Sequence, residues 1–186
     1  MRALISLVSI FALLTVPAFA EKLFFNDANL HLSIPKKFEK VSDGITAETL
    51  IRLRVKGKPP TPQCSIAFAK DPELNDLSMQ QIETIIDQMT GELFASMMSQ
   101  STPIFRSAKV LETNTTYWSG HKSLRMKFNI DLQYLGTAGV KGRGFYDLFF
   151  TANKRGIYAV NCGHTDMAKA SNALDELYQK IIIGAF

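Results

Sequence analysis

With 186 residues, 46% of them hydrophobic and 20% charged, the chain fits one domain with a proper core and is neither disordered nor fibrous. Its formal charge of +4 sets twenty-one basic residues against seventeen acidic ones, too small an excess to point to nucleic acid.

Arg2, an apolar run from Ala3 to Val16 broken by Ser6, Ser9 and Thr15, then Pro17 and the small-x-small ending Ala18-Phe19-Ala20 read as a secretory signal peptide cleaved before Glu21. The helix-breaking Pro17 suits a peptidase site better than the end of a membrane anchor. Residues 1–20 are therefore the expected signal peptide and 21–186 a single exported domain, periplasmic or secreted, with no transmembrane anchor after cleavage. In that compartment Cys64 and Cys162 are expected to oxidise; a bond between them would close a loop of nearly a hundred residues. The alternative is two buried thiols acting as small hydrophobes.

Taken in order, Lys22–Phe25 and Asn29–Ile34 read as short strands, the second stopped by Pro35. Between Ile45 and Val55 an alternation puts Ile51, Leu53 and Val55 on one face and Arg52, Arg54, Lys56 and Lys58 on the other. The proline-rich stretch from Gly57 to Pro62 cannot pair in a sheet interior, and a strand resumes over Gln63–Lys70. Ser78-Met79-Gln80-Gln81 fits a capping box, and Ile82, Ile86, Met89, Leu93 and Met97 predict one long helix to about Gln100. Gly91 in its middle marks close packing or a bend. Lys109–Glu112 and Thr115–Trp118 read as two strands before a turn at Ser119-Gly120. From Lys122 to Leu135 apolar and polar residues alternate without a break, which predicts a strand with a dry face and a wet one, hence an antiparallel or mixed sheet. A glycine-rich loop is expected over 136–144, then strands at Phe145–Thr151 and Ile157–Cys162. A last helix begins near Thr165 or Asp166 and carries Met167, Ala170, Leu174, Leu177, Tyr178 and Ile181 on one face. Runs of antiparallel strands with separated helices give an α+β class, a largely antiparallel sheet of about six or more strands with two main helices.

Three stretches carry a family resemblance. Leu30 to Phe38 resembles an opening strand that ends in Pro-x-x-aromatic, with Phe38 where tryptophan is more usual. Gly120 with the alternating strand and the Tyr146 and Tyr158 strands resembles a central meander, and Glu176 to Ile182 a closing helix. Together they resemble the superfamily of the photosystem PsbP subunit, the Ran-binding protein Mog1 and the periplasmic protein DcrB. That resemblance implies an α/β/α sandwich and a role in binding or assembly, and it supplies no catalytic residue.

Cys162-Gly163-His164, with Cys64, His31 and His121 as further candidates, could set a thiolate beside an imidazole for nucleophilic attack or soft-metal binding. The spacing does not match zinc pairs, and a strand-end turn into a helix cap accounts for the same residues. Lys141 and Arg143 in the glycine-rich stretch could hold an anion, but Val140 stands where a phosphate loop needs glycine. The stripe Arg52, Arg54, Lys56 and Lys58 places cations side by side, fit to meet acidic lipid heads, an acidic protein or a polyanion, or to guard a sheet edge. No cofactor or metal is called for. The expected function is a non-catalytic periplasmic binding or assembly factor with a protein partner in the cell envelope. The alternatives are a small thiol-dependent hydrolase centred on Cys162 and His164, and an anion or lipid-surface module using the stripe.

Overall fold

The alternating segment forms a strand, His121–Gln133, whose Leu124, Met126, Phe128 and Ile130 are all buried. It belongs to a computed structural model that describes residues 20–42, 46–101, 105–133 and 141–184. Among these are ten strands, β1 (Glu21–Phe25), β2 (Leu30–Ile34), β3 (Phe38–Val41), β4 (Thr49–Val55), β5 (Gln63–Lys70), β6 (Phe105–Trp118), β7 (His121–Gln133), β8 (Lys141–Asn153), β9 (Gly156–His164) and β10 (Ile181–Ile183). The helices are α1 (Met79–Gln88), α2 (Gly91–Ser101) and α3 (Met167–Tyr178). The class is α+β. Seven strands in the order β3-β4-β5-β9-β8-β7-β6 form one antiparallel sheet, and β1-β2-β10 form a small second one. The proposed signal peptide falls almost wholly outside the described residues.

Two cores sit on opposite faces of the large sheet and are offset from each other. On one face Ile51, Leu53, Ile66, Phe68, Tyr158 and Val160 from β4, β5 and β9 pack against the small sheet and α3. On the other, the β7 residues and Leu148, Phe150 and Ala152 of β8 pack against Ile82 and Ile86 of α1 and Ala95 of α2. The expectation of a wet face therefore holds along β7 beyond Arg125, where Lys127, Asn129 and Asp131 point away from α1 and α2, while Arg125 on the same face runs under α3. It does not extend to β4, β5 and β9, whose dry face is the opposite one. Two buried side chains fasten the small sheet down: Trp118 Nε1 donates to the Ile181 carbonyl at 3.3 Å, and Tyr158 Oη to that of Ala28 at 2.7 Å.

The single helix expected over 78–100 is two helices. The capping box is present, Ser78 Oγ accepting from Gln81 N–H and Gln81 Oε1 from Ser78 N–H. The chain then leaves helical geometry at Met89, and Thr90 Oγ1 accepts from Leu93 N–H to start α2. A Cβ on Gly91 would lie 2.5 Å from Thr113 Oγ1 and 2.7 Å from Val110 Cγ1, so the break lets the backbone lie directly on β6. The two strands expected between 109 and 118 are one fourteen-residue edge strand, with register shifts at Phe105/Ser107 and Val110/Glu112. Strand β3 was not anticipated, and Ile181 belongs to β10 rather than to the last helix, because the apolar face of α3 stops at Leu177 and the chain turns to pair with β2. Lys141–Gly144, expected in a loop, begin β8.

The β8–β9 hairpin turns at Gly156, φ +155°, where a Cβ would stand 2.2 Å from the Ala69 carbonyl oxygen. Backbone cannot yield as a flexible side chain can. Gly156→Ala is expected to cost about 1–3 kcal/mol, read as a lowered urea midpoint with an unchanged slope.

Candidate functional site

Strand alternation puts Ile51 and Leu53 into the core and turns Arg52 and Arg54 to the other face. There the sheet brings two ladders together. Arg52 stands opposite Ser65, Ser65 opposite Asn161, and Asn161 opposite Leu148; Arg54, Gln63, Gly163 and Tyr146 line up likewise one step along. Helices α1 and α2 pack over β6, β7 and β8 and so cover the Leu148 end of this face. Over β4, β5 and β9 the residues are half-buried to exposed and form a polar shelf.

The shelf is held by its own hydrogen bonds. Asn161 Nδ2 donates to Ser65 Oγ at 2.9 Å, and Arg52 Nη2 reaches Gln63 Oε1 at 3.4 Å. Arg54 donates through Nε and Nη2 to Glu39 Oε1, at 2.9 and 2.6 Å. Tyr146 lies flat on Gly163, where a Cβ would come within 3.0 Å of its ring. Burial pushes the Tyr146 phenol up, with Arg52 opposing it. Glycine 163 is thus a seat for an aromatic ring, which explains the middle of the Cys-Gly-His motif without chemistry. Two guanidiniums spaced by one strand repeat, about 7 Å, beside a hydroxyl, two amides and a phenol suit a carboxylate or phosphate group.

The six cations singled out from sequence do not converge. Lys56 Nζ donates to the Lys36 carbonyl at 2.7 Å beyond the end of β4, and Lys58 is exposed in the turn that follows. Arg143, opposite Asp131 and paired with it at 3.4 Å, shares the face of Asp147 and Phe149, the reverse of the Arg52 face. Lys141 opens β8 at the same end. Residues 136–140 of the glycine-rich stretch lie outside the described residues.

The thiol centre is not formed. Cys64 and Cys162 stand directly opposite each other on β5 and β9 and are joined as a disulfide, both buried. His164, two residues on from Cys162 along β9, has both ring nitrogens engaged elsewhere: Nε2 lies 3.1 Å from the Pro60 carbonyl, and Nδ1 accepts from Asp166 N–H at 2.9 Å. Asp166 in turn caps α3. His31 stacks on Phe24 on the small sheet, and His121, its pKa lowered by burial against the pull of Glu83, sits at the β6–β7 turn. Among the described residues no three histidine, cysteine or acidic side chains gather as a metal site, and no helix is long and apolar enough to cross a membrane.

One cluster escaped the sequence reading. Asp147, fully buried, accepts from Arg125 Nε and Nη2 at 3.0 and 2.7 Å and from Ser171 Oγ at 2.6 Å. Arg125 Nη1 also pairs with Asp175 at 2.8 Å, and its guanidinium lies over the Phe149 ring. Asp147 and Asp175 hold the Arg125 pKa above its ordinary value against the opposing effect of burial, so the ion stays charged under α3.

No protein-family model matches the sequence, and no curated protein matches it. Solved structures do. Cyanobacterial PsbP from Synechocystis superimposes with a TM-score of 0.54 at 11% identity, over 90% of this chain and 94% of that one. The Saccharomyces cerevisiae Ran-binding protein Mog1p gives 0.55 at 7%, over 88% and 95%. The chain has the PsbP/Mog1-like fold. LpqN of Mycobacterium tuberculosis, described as involved in cell envelope biogenesis, shares the PsbP/Mog1-like fold with a TM-score of 0.51 at 10% identity, over 89% and 90%. At these identities the likeness carries the architecture, and the buried disulfide adds the mark of an oxidising, extracytoplasmic setting.

Proposed function

We propose that the protein is a non-catalytic exported factor of the cell envelope that binds or assembles with a protein partner, receiving an anionic group of it on the Arg52/Arg54 shelf. The observation that carries this reading is the shelf itself, two guanidiniums held on a rigid sheet face beside the Ser65–Asn161 pair and bounded by the helices over β8. Fold neighbours that include a Ran-binding protein and a protein involved in cell envelope biogenesis are consistent with it. The thiol-hydrolase alternative loses its nucleophile to the disulfide. A flat lipid surface suits the shelf less well than a single carboxylate or phosphate, since Arg54 is already engaged by Glu39.

A photocrosslinking residue at Gln63 in intact cells tests the reading. One discrete adduct is expected, absent with the crosslinker at Asn172 on α3 and reduced at least tenfold by Arg52→Glu with Arg54→Glu. The exposed Arg54–Glu39 pair is worth about 1 kcal/mol or less, so the variant folds. Equal adducts from Gln63 and Asn172, or none from either, would remove the proposal.

A further inference from the structure

The small sheet has an outer face that no other element covers among the described residues. Leu23 and Phe25 of β1, Leu30, Leu32 and Ile34 of β2, and Ile181 and Ile183 of β10 turn inward to the core. The alternate positions turn outward and fall into two rows. In one, Phe24 stands opposite His31 and His31 opposite Ile182; Phe24 is 50% exposed, Ile182 60%, and the Phe24 and His31 rings stack at 4.3 Å. In the other, Lys22 stands opposite Ser33, whose N–H donates to the Lys180 carbonyl, so the two exposed lysines flank the apolar row on one side. None of the outward residues of the three strands is acidic: they are Lys22, Phe24, His31, Ser33 and Ile182.

We infer that this face rests on an anionic lipid surface, with Phe24 and Ile182 entering the headgroup boundary and Lys22 and Lys180 meeting the lipid charge. The pattern of charge and apolar surface favours lipid over another occupant. Apolar tips beside lysines and free of carboxylates complement a negative, greasy boundary, whereas the face would set like charges together against its own copy. The face lies on the other side of the molecule's core from the Arg52/Arg54 shelf, which stays open to a protein partner while the small sheet is docked.

Sedimentation of the purified exported chain with vesicles tests this. Binding is expected to phosphatidylcholine vesicles containing phosphatidylglycerol and to be at least tenfold weaker to phosphatidylcholine alone. Lys22→Gln with Lys180→Gln should weaken it about 25-fold, about fivefold for each lysine. Phe24→Ser with Ile182→Ser should weaken it at least tenfold, and a thermal melt confirms that these surface variants are folded. Arg52→Gln with Arg54→Gln should leave it unchanged, which separates this face from the shelf. No sedimentation with anionic vesicles, equal loss in the Arg52/Arg54 variant, or a wild-type dimer that Phe24→Ser with Ile182→Ser dissolves would each overturn it.

Discussion

Asp147→Ala is expected to destabilise the protein by about 3–5 kcal/mol, because it leaves the Arg125 guanidinium uncompensated beneath α3. Both oxygens of Asp147 are used, and none of its surface reaches solvent. Removing the anion strands a partly buried cation and an unpaired Ser171 hydroxyl together, whereas Asp175 is exposed enough for water to screen what it can return. Arg125→Met should cost a similar amount for the reverse reason, a carboxylate with no room for water. The double variant Arg125→Met with Asp147→Leu should recover most of the loss, since a buried ion pair exchanged for apolar groups of like volume is often neutral or better. Urea denaturation of the two singles and the double closes the cycle. A coupling below about 1 kcal/mol would show that the cluster does not dock α3.

Asp147 sits in Phe145-Tyr146-Asp147-Leu148-Phe149-Phe150, where one acid interrupts an otherwise apolar run. On an alternating strand such an acid reads as a solvent-facing residue, and only pairing shows that its neighbours are Cys162 on one side and Lys127 on the other. It stands at the border where the α3 core gives way to the polar half of the sheet. The usable signal was in two places at once: a lone acid among aromatics, and Ser171 and Asp175 four apart on α3, hence on one helix face. Neither says alone that Arg125 lies between them.

What was legible followed from local pattern. The β7 alternation, the Ser78 capping box, the Asp166 cap and the strands at Phe145–Thr151 and Ile157–Cys162 each depend on residues close in sequence, and each is present. The elements that were missed depend on partners far away. Ile181–Ile183 continues a helical apolar stripe and becomes a strand only because β2 offers it an edge. The long helix divides because β6 needs the space that Gly91 provides. For the shelf, period two correctly paired Arg52 with Arg54, but Ser65, Asn161 and Tyr146 join them through cross-strand register, which no single strand encodes. Arg143 fell on the wrong face for the same reason.

The second large effect belongs to the disulfide. Reducing Cys64–Cys162, or replacing both with alanine, is expected to lower stability by about 4–5 kcal/mol, because the bond spans 98 residues and the unfolded chain regains the entropy of that loop. The bond joins β5 to β9 at the centre of the large sheet, between the hairpins β4–β5 and β8–β9, which are otherwise remote in sequence. Folding must therefore bring together partners about a hundred residues apart, and the bridge removes that search from the oxidised unfolded state. The native sheet needs no rearrangement to lose it, since eight residue pairs still hold β5 to β9. Reduced protein is thus expected to keep its far-ultraviolet spectrum while its urea midpoint falls. Both sulfurs lie in the core, so reductant should reach the bond only through opening of the sheet, and thiol release from the oxidised protein should follow the unfolding curve. Release well below that curve would mean that β5 and β9 part locally, and would place the weak point of the fold at the strands that carry Ser65 and Asn161 of the shelf.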